Sequence, residues 1–163
     1  GSNWFATFTI DKGTLDGVKV DSNVLAGSGL VGIVTEVGPN YAQVRSIIDD
    51  ASNVSAMMLS TSDTCMVRGD LELMSDGRLH FEKLPNNDNV VEPGEQVVTS
   101  HVSSRFLQGL FIGYVSDIDV DANNLTRSGY ITPAVDFSKL QEVLVITTTK
   151  REMTGGEDAG EGE

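Results

Sequence analysis

A chain of 163 residues with 24 acidic against 11 basic side chains, a formal net charge of −13, is long enough for one domain or two very small ones sharing an interface. Its 39% hydrophobic content permits a sizeable core without disulfide staples and excludes a disordered protein. Even without the segment 151–163, the body holds 19 acids against 10 bases, a balance that repels phosphate backbones and anionic membrane surfaces and argues against nucleic acid as a partner.

Helical periodicity is nearly absent and strand alternation recurs. Gly1-Ser2 has the form of a pair left by tag removal, so a natural chain is expected to continue upstream, and Asn3-Trp4-Phe5 reads as the end of a helix. Ala6 to Ile10 alternates as a strand. Leu30 to Val37 predicts a long strand with Val31, Ile33 and Val37 on one face, ended by a turn at Pro39-Asn40. Ala42 to Ile48 and Asn53 to Leu59 follow as strands, and Thr64 to Val67 alternates so that Cys65 reads as a half-buried small hydrophobe. Between Arg68 and Lys83 the alternating Leu71, Leu73, Leu79 and Phe81 flank Ser75-Asp76-Gly77, which predicts a β-hairpin on an Asp-Gly turn. Asn86 to Asn89 is a loop, and Gln96 to Thr99, Leu110 to Ile118, Leu125 to Ile131 and Val143 to Thr148 complete the strands. Short helical turns are expected over Val102 to Gln108, ended by Gly109, and over Ala134 to Leu140 after Pro133. The acidic, apolar-poor stretch from Thr154 onward is expected to be disordered.

One stretch echoes another. Gly29-Leu30-Val31-Gly32-Ile33-Val34 resembles Gly109-Leu110-Phe111-Ile112-Gly113-Tyr114-Val115 with one inserted residue. Glycine inside a strand marks a bulge, a barrel corner or a close backbone approach. Gly29, Gly32, Gly109 and Gly113 are therefore expected to be structural. Two similar small barrels or sandwiches packed together would produce such an echo. The expected division is a first unit over 3–60, a second over 61–150 with terminal strands open to exchange between them, and a disordered acidic tail over 151–163.

Chemistry finds little purchase. His80 and His101 are the only histidine bases, and no nucleophile-elbow motif surrounds Ser28 or the serines beside His101. Two histidines twenty positions apart and one remote cysteine match no zinc spacing. Asp117, Asp119, Asp121 and Asn123 resemble the start of a calcium loop, but Ala122 and Ser128 stand where its glycine and glutamate belong. The adjacent Asp49 and Asp50 read as a turn. Neither catalytic residues nor a metal or cofactor is expected.

The order of motifs resembles the extracytoplasmic region of the rod shape-determining MreC family. The resemblance rests on Asn3-Trp4, Phe8 to Gly13, Asp16-Gly17-Val18, Gly29-Leu30-Val31-Gly32, Gln43-Val44 leading to Ile48-Asp49-Asp50, Gly94, Val97 to Ser100, Gly109-Leu110 with Ile112 to Val115, and Pro133 to Phe137 before Val143-Leu144-Val145. The chain departs from the family pattern at His101, at Phe106-Leu107-Gln108 and at Asp63 to Met66. The resemblance implies an all-β fold of two small packed antiparallel β-barrels with short helical turns. It implies a non-catalytic scaffold outside the cytoplasmic membrane, anchored by an upstream helix followed by a coiled coil. It further implies homodimers or larger self-assemblies, and work with a class B penicillin-binding transpeptidase, MreD and MreB in peptidoglycan synthesis. Arg105, Phe106 and Leu107 form an apolar-basic loop and are the candidate partner-binding residues, with core packing of the apolar pair weighed equally. The alternative functions are a β-barrel serine hydrolase, active or degenerate, and a carrier or sugar-binding module. A carrier needs a lysine at a hairpin tip, and Ser75-Asp76-Gly77 has none.

Overall fold

Short runs of Val, Ile, Leu and Thr broken by glycine and polar turns build strands that must pair across long stretches of chain. The computed structural model describes residues 6–27 and 29–155. Eleven strands result: β1 (Thr7–Ile10), β2 (Asn23–Ala26), β3 (Gly29–Val37), β4 (Ala42–Ser46), β5 (Asn53–Met58), β6 (Thr64–Arg68), β7 (Leu79–Pro85), β8 (Gln96–Thr99), β9 (Phe111–Val120), β10 (Thr126–Pro133) and β11 (Leu144–Ile146). Single helical turns lie at α1 (Leu71–Met74) and α2 (Lys150–Met153). All pairings are antiparallel among the described residues. They make a five-stranded sheet ordered β1-β4-β3-β2-β11 and a closed barrel ordered β10-β7-β6-β5-β8-β9.

The fold class is all-β, as the sequence suggests, with one unit a closed ring and the other a sheet. The sheets divide along the chain between β4 and β5, so β5, placed in the first unit by the sequence, pairs in the barrel with β6 and β8. At the other end of the chain β11 returns to pair with β2.

The two units share one continuous hydrophobic core. Leu30, Val31 and Val34 are all fully buried, so β3 buries both faces rather than the single face that its alternation suggests. It is central in its sheet and also packs against β9. Burying side chains of this size stabilises by ~1.5–3 kcal/mol each. In the barrel the inward residues are Val54, Ala56, Cys65, Val67, Leu79, Phe81 and Ile131. Desolvation pushes the Cys65 thiol up to about 12, which keeps it protonated and unreactive.

Three local readings are corrected. The β6–β7 hairpin exists, with Val67 opposite Phe81, but its connection is α1 and not an Asp-Gly turn. The carboxylate of Asp70 accepts from the N–H groups of Glu72 and Leu73, and an N-cap of this kind starts a helical turn where alternation alone reads strand. Gly77, with φ of 71°, then ends the turn as a left-handed residue. The helical turn expected over Ala134 to Leu140 is absent; Asp136 accepts from the Ser138 N–H at 3.0 Å, an Asx-type contact that diverts the backbone from a helix. Strand β2 was hidden by Asn23, a polar residue that is fully buried.

Of the segment 151–163 read as a tail, Arg151 to Met153 lie in α2 and residues 156–163 lie outside the described residues, as do Asn3-Trp4-Phe5. Helix α2 is a clasp. Thr149 and Glu152 form a reciprocal capping box. Glu152 also accepts from the Lys19 ammonium at 3.0 Å, and Lys19 donates to the Thr147 carbonyl at 2.9 Å. The buried Lys150 reaches across to the His101 carbonyl of the barrel at 3.3 Å. The Lys19 hydrogen bond, followed by those from the Thr149 backbone and hydroxyl, lowers the Glu152 carboxyl pKa below its ordinary value of 4.5.

Three outcomes follow. Gly113→Ala would press a methyl group against the Thr132 carbonyl of β10 and is expected to cost ~1–3 kcal/mol in a denaturant melt. Cys65 should resist an aromatic disulfide reagent at pH 8 until the chain is unfolded, as followed by release of the coloured thiolate. Because the Glu152 pKa is lowered on folding, its contribution is complete above 4.5 and is lost as the pH falls through the folded value. Amide signals of residues 147–153 should therefore shift together as the pH falls through that folded value, and Glu152→Gln should abolish that shift.

Candidate protein interaction site

The segment between β8 and β9 is the loop for which the sequence predicts a helical turn and a partner contact. Its backbone is taken instead by polar side chains. Thr99 donates its hydroxyl to the Leu107 carbonyl at 2.5 Å and accepts from the Leu110 N–H at 2.8 Å. The Ser103 hydroxyl accepts from the N–H groups of Phe106 at 2.8 Å and Arg105 at 3.3 Å. From the other unit, Asn23 on β2 donates to the Arg105 carbonyl at 3.0 Å and accepts from the Leu107 N–H at 2.8 Å. Side chains that satisfy backbone groups locally compete with the helix, and here they win.

This trapping sorts the candidate residues. Phe106 is only 4% exposed and lies in the shared core, so it is a packing residue. Leu107 is half-buried, and Arg105 is exposed. The accessible face of the loop is His101, Val102, Arg105 and Gln108, a mixed basic and apolar strip. Sequence reasoning missed Asn23, which fixes this strip in place. Its signal was a carboxamide set against the apolar Val24-Leu25 pair, since a buried polar residue must find partners.

The four glycines fall at contacts between strands or at a turn. A Cβ on Gly32 would meet the Arg45 carbonyl of β4, and one on Gly113 would meet the Thr132 carbonyl of β10. The two glycines thus occupy equivalent close approaches in the sheet and the barrel. A Cβ on Gly29 would meet Ala134 and Val135, at the seam between the units. Gly109 closes the loop with φ of 85°.

His80 stacks obliquely on Tyr130 at 5.7 Å on the outside of the barrel, and His101 is exposed on the loop. Ser100 and Ser55 pair through their hydroxyls at 3.0 Å in a buried contact. Asp121, from the calcium-like run, accepts from the hydroxyls of Ser128 at 2.6 Å and Thr126 at 2.5 Å. These bonds hold its pKa below the ordinary carboxylate value, and they tie off the β9–β10 hairpin. Among the described residues no group of three or more His, Cys, Asp or Glu side chains is placed to hold a metal ion.

Two of the larger grooves on the described surface belong to the sheet and to the barrel. One, of about 630 Å³, runs between the end of β1 and the segment leading into β11, with a floor of Phe8, Ile10, Leu140, Val143 and Val145. The other, of about 580 Å³, lies at one end of the barrel beside the exposed Leu59 and Val90.

Comparison with known proteins places this architecture. A profile for "Rod shape-determining protein MreC, barrel core" matches residues 1–147. The cell shape-determining protein MreC of Listeria monocytogenes is 32% identical over 170 residues, covering 96% of this chain and 57% of that protein. Its Bacillus subtilis counterpart is 32% identical over 151 residues, 88% of this chain and 52% of the relative. The chain thus spans little more than half the length of these relatives. A solved structure of the Listeria monocytogenes protein superposes with a TM-score of 0.81 at 32% identity, over 99% of this chain and 73% of that one. A chain from a structure described as a complex between penicillin-binding protein PBP2 and MreC from Helicobacter pylori shares the fold, with a TM-score of 0.58 at 16% identity, over 76% of this chain and 74% of that one. With residues 1–147 matched by the barrel-core profile and the same sheet-and-barrel architecture in its relatives, this chain belongs to the MreC family of cell shape-determining proteins.

Proposed function

We propose that this chain is the β-rich part of a non-catalytic scaffold that binds and organises peptidoglycan synthases during cell elongation. The observation that carries the reading is family membership across residues 1–147, joined to a related fold in a structure described as a complex between PBP2 and MreC from Helicobacter pylori. The partner proposed is a class B penicillin-binding transpeptidase. MreD, MreB and a second copy of the chain complete the assembly, and this chain sits on the outer face of the cytoplasmic membrane. No helix among the described residues is long and apolar enough to cross a membrane; the anchor in this reading is an upstream helix.

The chemistry of the surface supports binding more than catalysis. The loop carrying Arg105 is held by partly buried hydrogen bonds from both units, so the strip is presented in one conformation. A pre-ordered strip loses little conformational entropy on binding. Arginine at such a position offers a charged, flat face for a partner's carboxylates or aromatic rings. Phe106 serves indirectly by anchoring the strip in the core.

The test is surface plasmon resonance against the extracytoplasmic part of the host's elongation transpeptidase. Saturable binding is expected, weakened by ~10-fold or more in Arg105→Glu, which is on the order of 1.4 kcal/mol. Gln108→Ala should change it little. Binding unchanged in Arg105→Glu removes the loop from the interface. Absence of binding by this chain, and equally by a longer chain that includes the upstream region, overturns the scaffold reading. A fluorophosphonate probe should leave the chain unlabelled; labelling of a serine would instead favour the hydrolase alternative.

A further inference from the structure

The sheet and the barrel are the same arrangement with one strand missing. In the barrel, β7, β10, β9, β8 and β5 follow one another, and β6 closes the ring between β5 and β7. In the sheet, β1, β4, β3, β2 and β11 follow one another in the same pattern. In chain order β1 to β4 correspond to β7 to β10, the echoed glycine strands β3 and β9 fall on each other, and β11, which follows β4, takes the place of β5, which precedes β7. Nothing among the described residues corresponds to β6.

The groove of about 630 Å³ lies where that strand belongs, lined by β1 on one wall and by the approach to β11 on the other. The directions agree as well. Every pairing from β1 through β4, β3 and β2 to β11 is antiparallel, so β1 and β11 run parallel to each other. One strand can therefore lie antiparallel to both, as β6 does between β5 and β7. The alternating Phe8 and Ile10, and Val143 and Val145, are only partly buried although they pack against the core. Half-covered core residues between two terminal strands are the mark of an incomplete sheet.

We infer that this groove accepts one extended segment of a partner protein, which completes the sheet as a sixth strand antiparallel to β1 and β11. Its alternate residues should be small and apolar, as Cys65 and Val67 are on the inner side of β6. Its outward residues should be basic. Asp11 and Glu142 outnumber Lys12 on the groove lining, and the whole chain carries −13, a field that favours cations and opposes a second copy. Segments within residues 1–163 fit poorly. Residues 1–5 are too few to reverse and then pair along β1, and the residues beyond 155 are acidic and glycine-rich. The inference does not depend on Arg105 being a contact, nor on the partner being a transpeptidase.

The experiment uses the 163-residue chain, isotope-labelled, and a synthetic peptide carrying the β6 sequence Thr64 to Arg68 with alanine for the cysteine, flanked by lysines. Saturable amide shifts confined to residues 8–12 and 140–146 are expected, with barrel amides unmoved. A version flanked by glutamates should bind ~10-fold or more weakly. Val143→Asp should reduce lysine-peptide binding by at least that factor, and Thr9→Pro, on the exposed side of β1, should do the same if the groove variant disturbs folding. Absence of shifts at millimolar peptide, or shifts spread over the barrel, overturns the proposal. So does a concentration-dependent dimer that moves the same amides without peptide, which gives the groove to a second copy. An upstream-extended chain whose own residues already occupy the groove and block the peptide would also overturn it.

Discussion

A single buried carboxamide holds the two units in register. Asn23 is inaccessible to solvent, lies on β2 between β3 and β11, and spends its side chain on the backbone of the barrel loop at Arg105 and Leu107. Leaving either end of that carboxamide unsatisfied in the core would cost on the order of 1–3 kcal/mol, so the loop and the sheet are energetically coupled. Phe106 beside it is buried for the same reason: the polar stitch fixes the backbone, and the ring then has one place to go. At the far side of the loop, Lys150 on α2 donates to the His101 carbonyl. The barrel loop is thus gripped at two points by elements that bracket the sheet.

Around this stitch the two units repeat one solution. Each sets a glycine in a central strand where the neighbouring backbone comes too near for a side chain, Gly32 against β4 and Gly113 against β10. Tight approach increases local bending, and curved sheets enclose a core that a flat sheet of the same length would leave open. The core is continuous across both units. The exposed ion pair between Lys19 and Glu152 adds little by itself; its value lies in keeping α2 where Lys150 can reach the loop.

Much of the fold was legible because strand-forming residues, turns and glycines carry direct steric meaning. The strands from Ala42 to Ser46, Gln96 to Thr99 and Leu144 to Ile146 fall inside their expected ranges. What escaped were decisions taken by polar side chains. Asp70 turns an alternating stretch into α1, Asp136 prevents a helical turn after Pro133, and Ser103 with Thr99 dissolves the one expected after Val102. Hydrogen bonds of this kind follow from position and not from composition, so a linear pattern does not announce them. The candidate site was legible in place more than in detail. The loop around Arg105 is exposed at its arginine, yet Phe106 belongs to the core because a residue eighty-odd positions earlier reaches over to hold it. The parallel run of β1 and β11 was beyond reach, since it depends on the chain's end returning to its beginning.

That return has a consequence for stoichiometry. A sheet with two separated edges can add a strand on each side, and each added strand exposes a new edge, which is how fibrils grow. Here the two edges line one groove of about 630 Å³. An occupant would use both at once and leave none behind, just as the neighbouring barrel has none. Pairing at this place would therefore be monovalent and self-terminating, and a larger assembly would be built from other surfaces of the molecule.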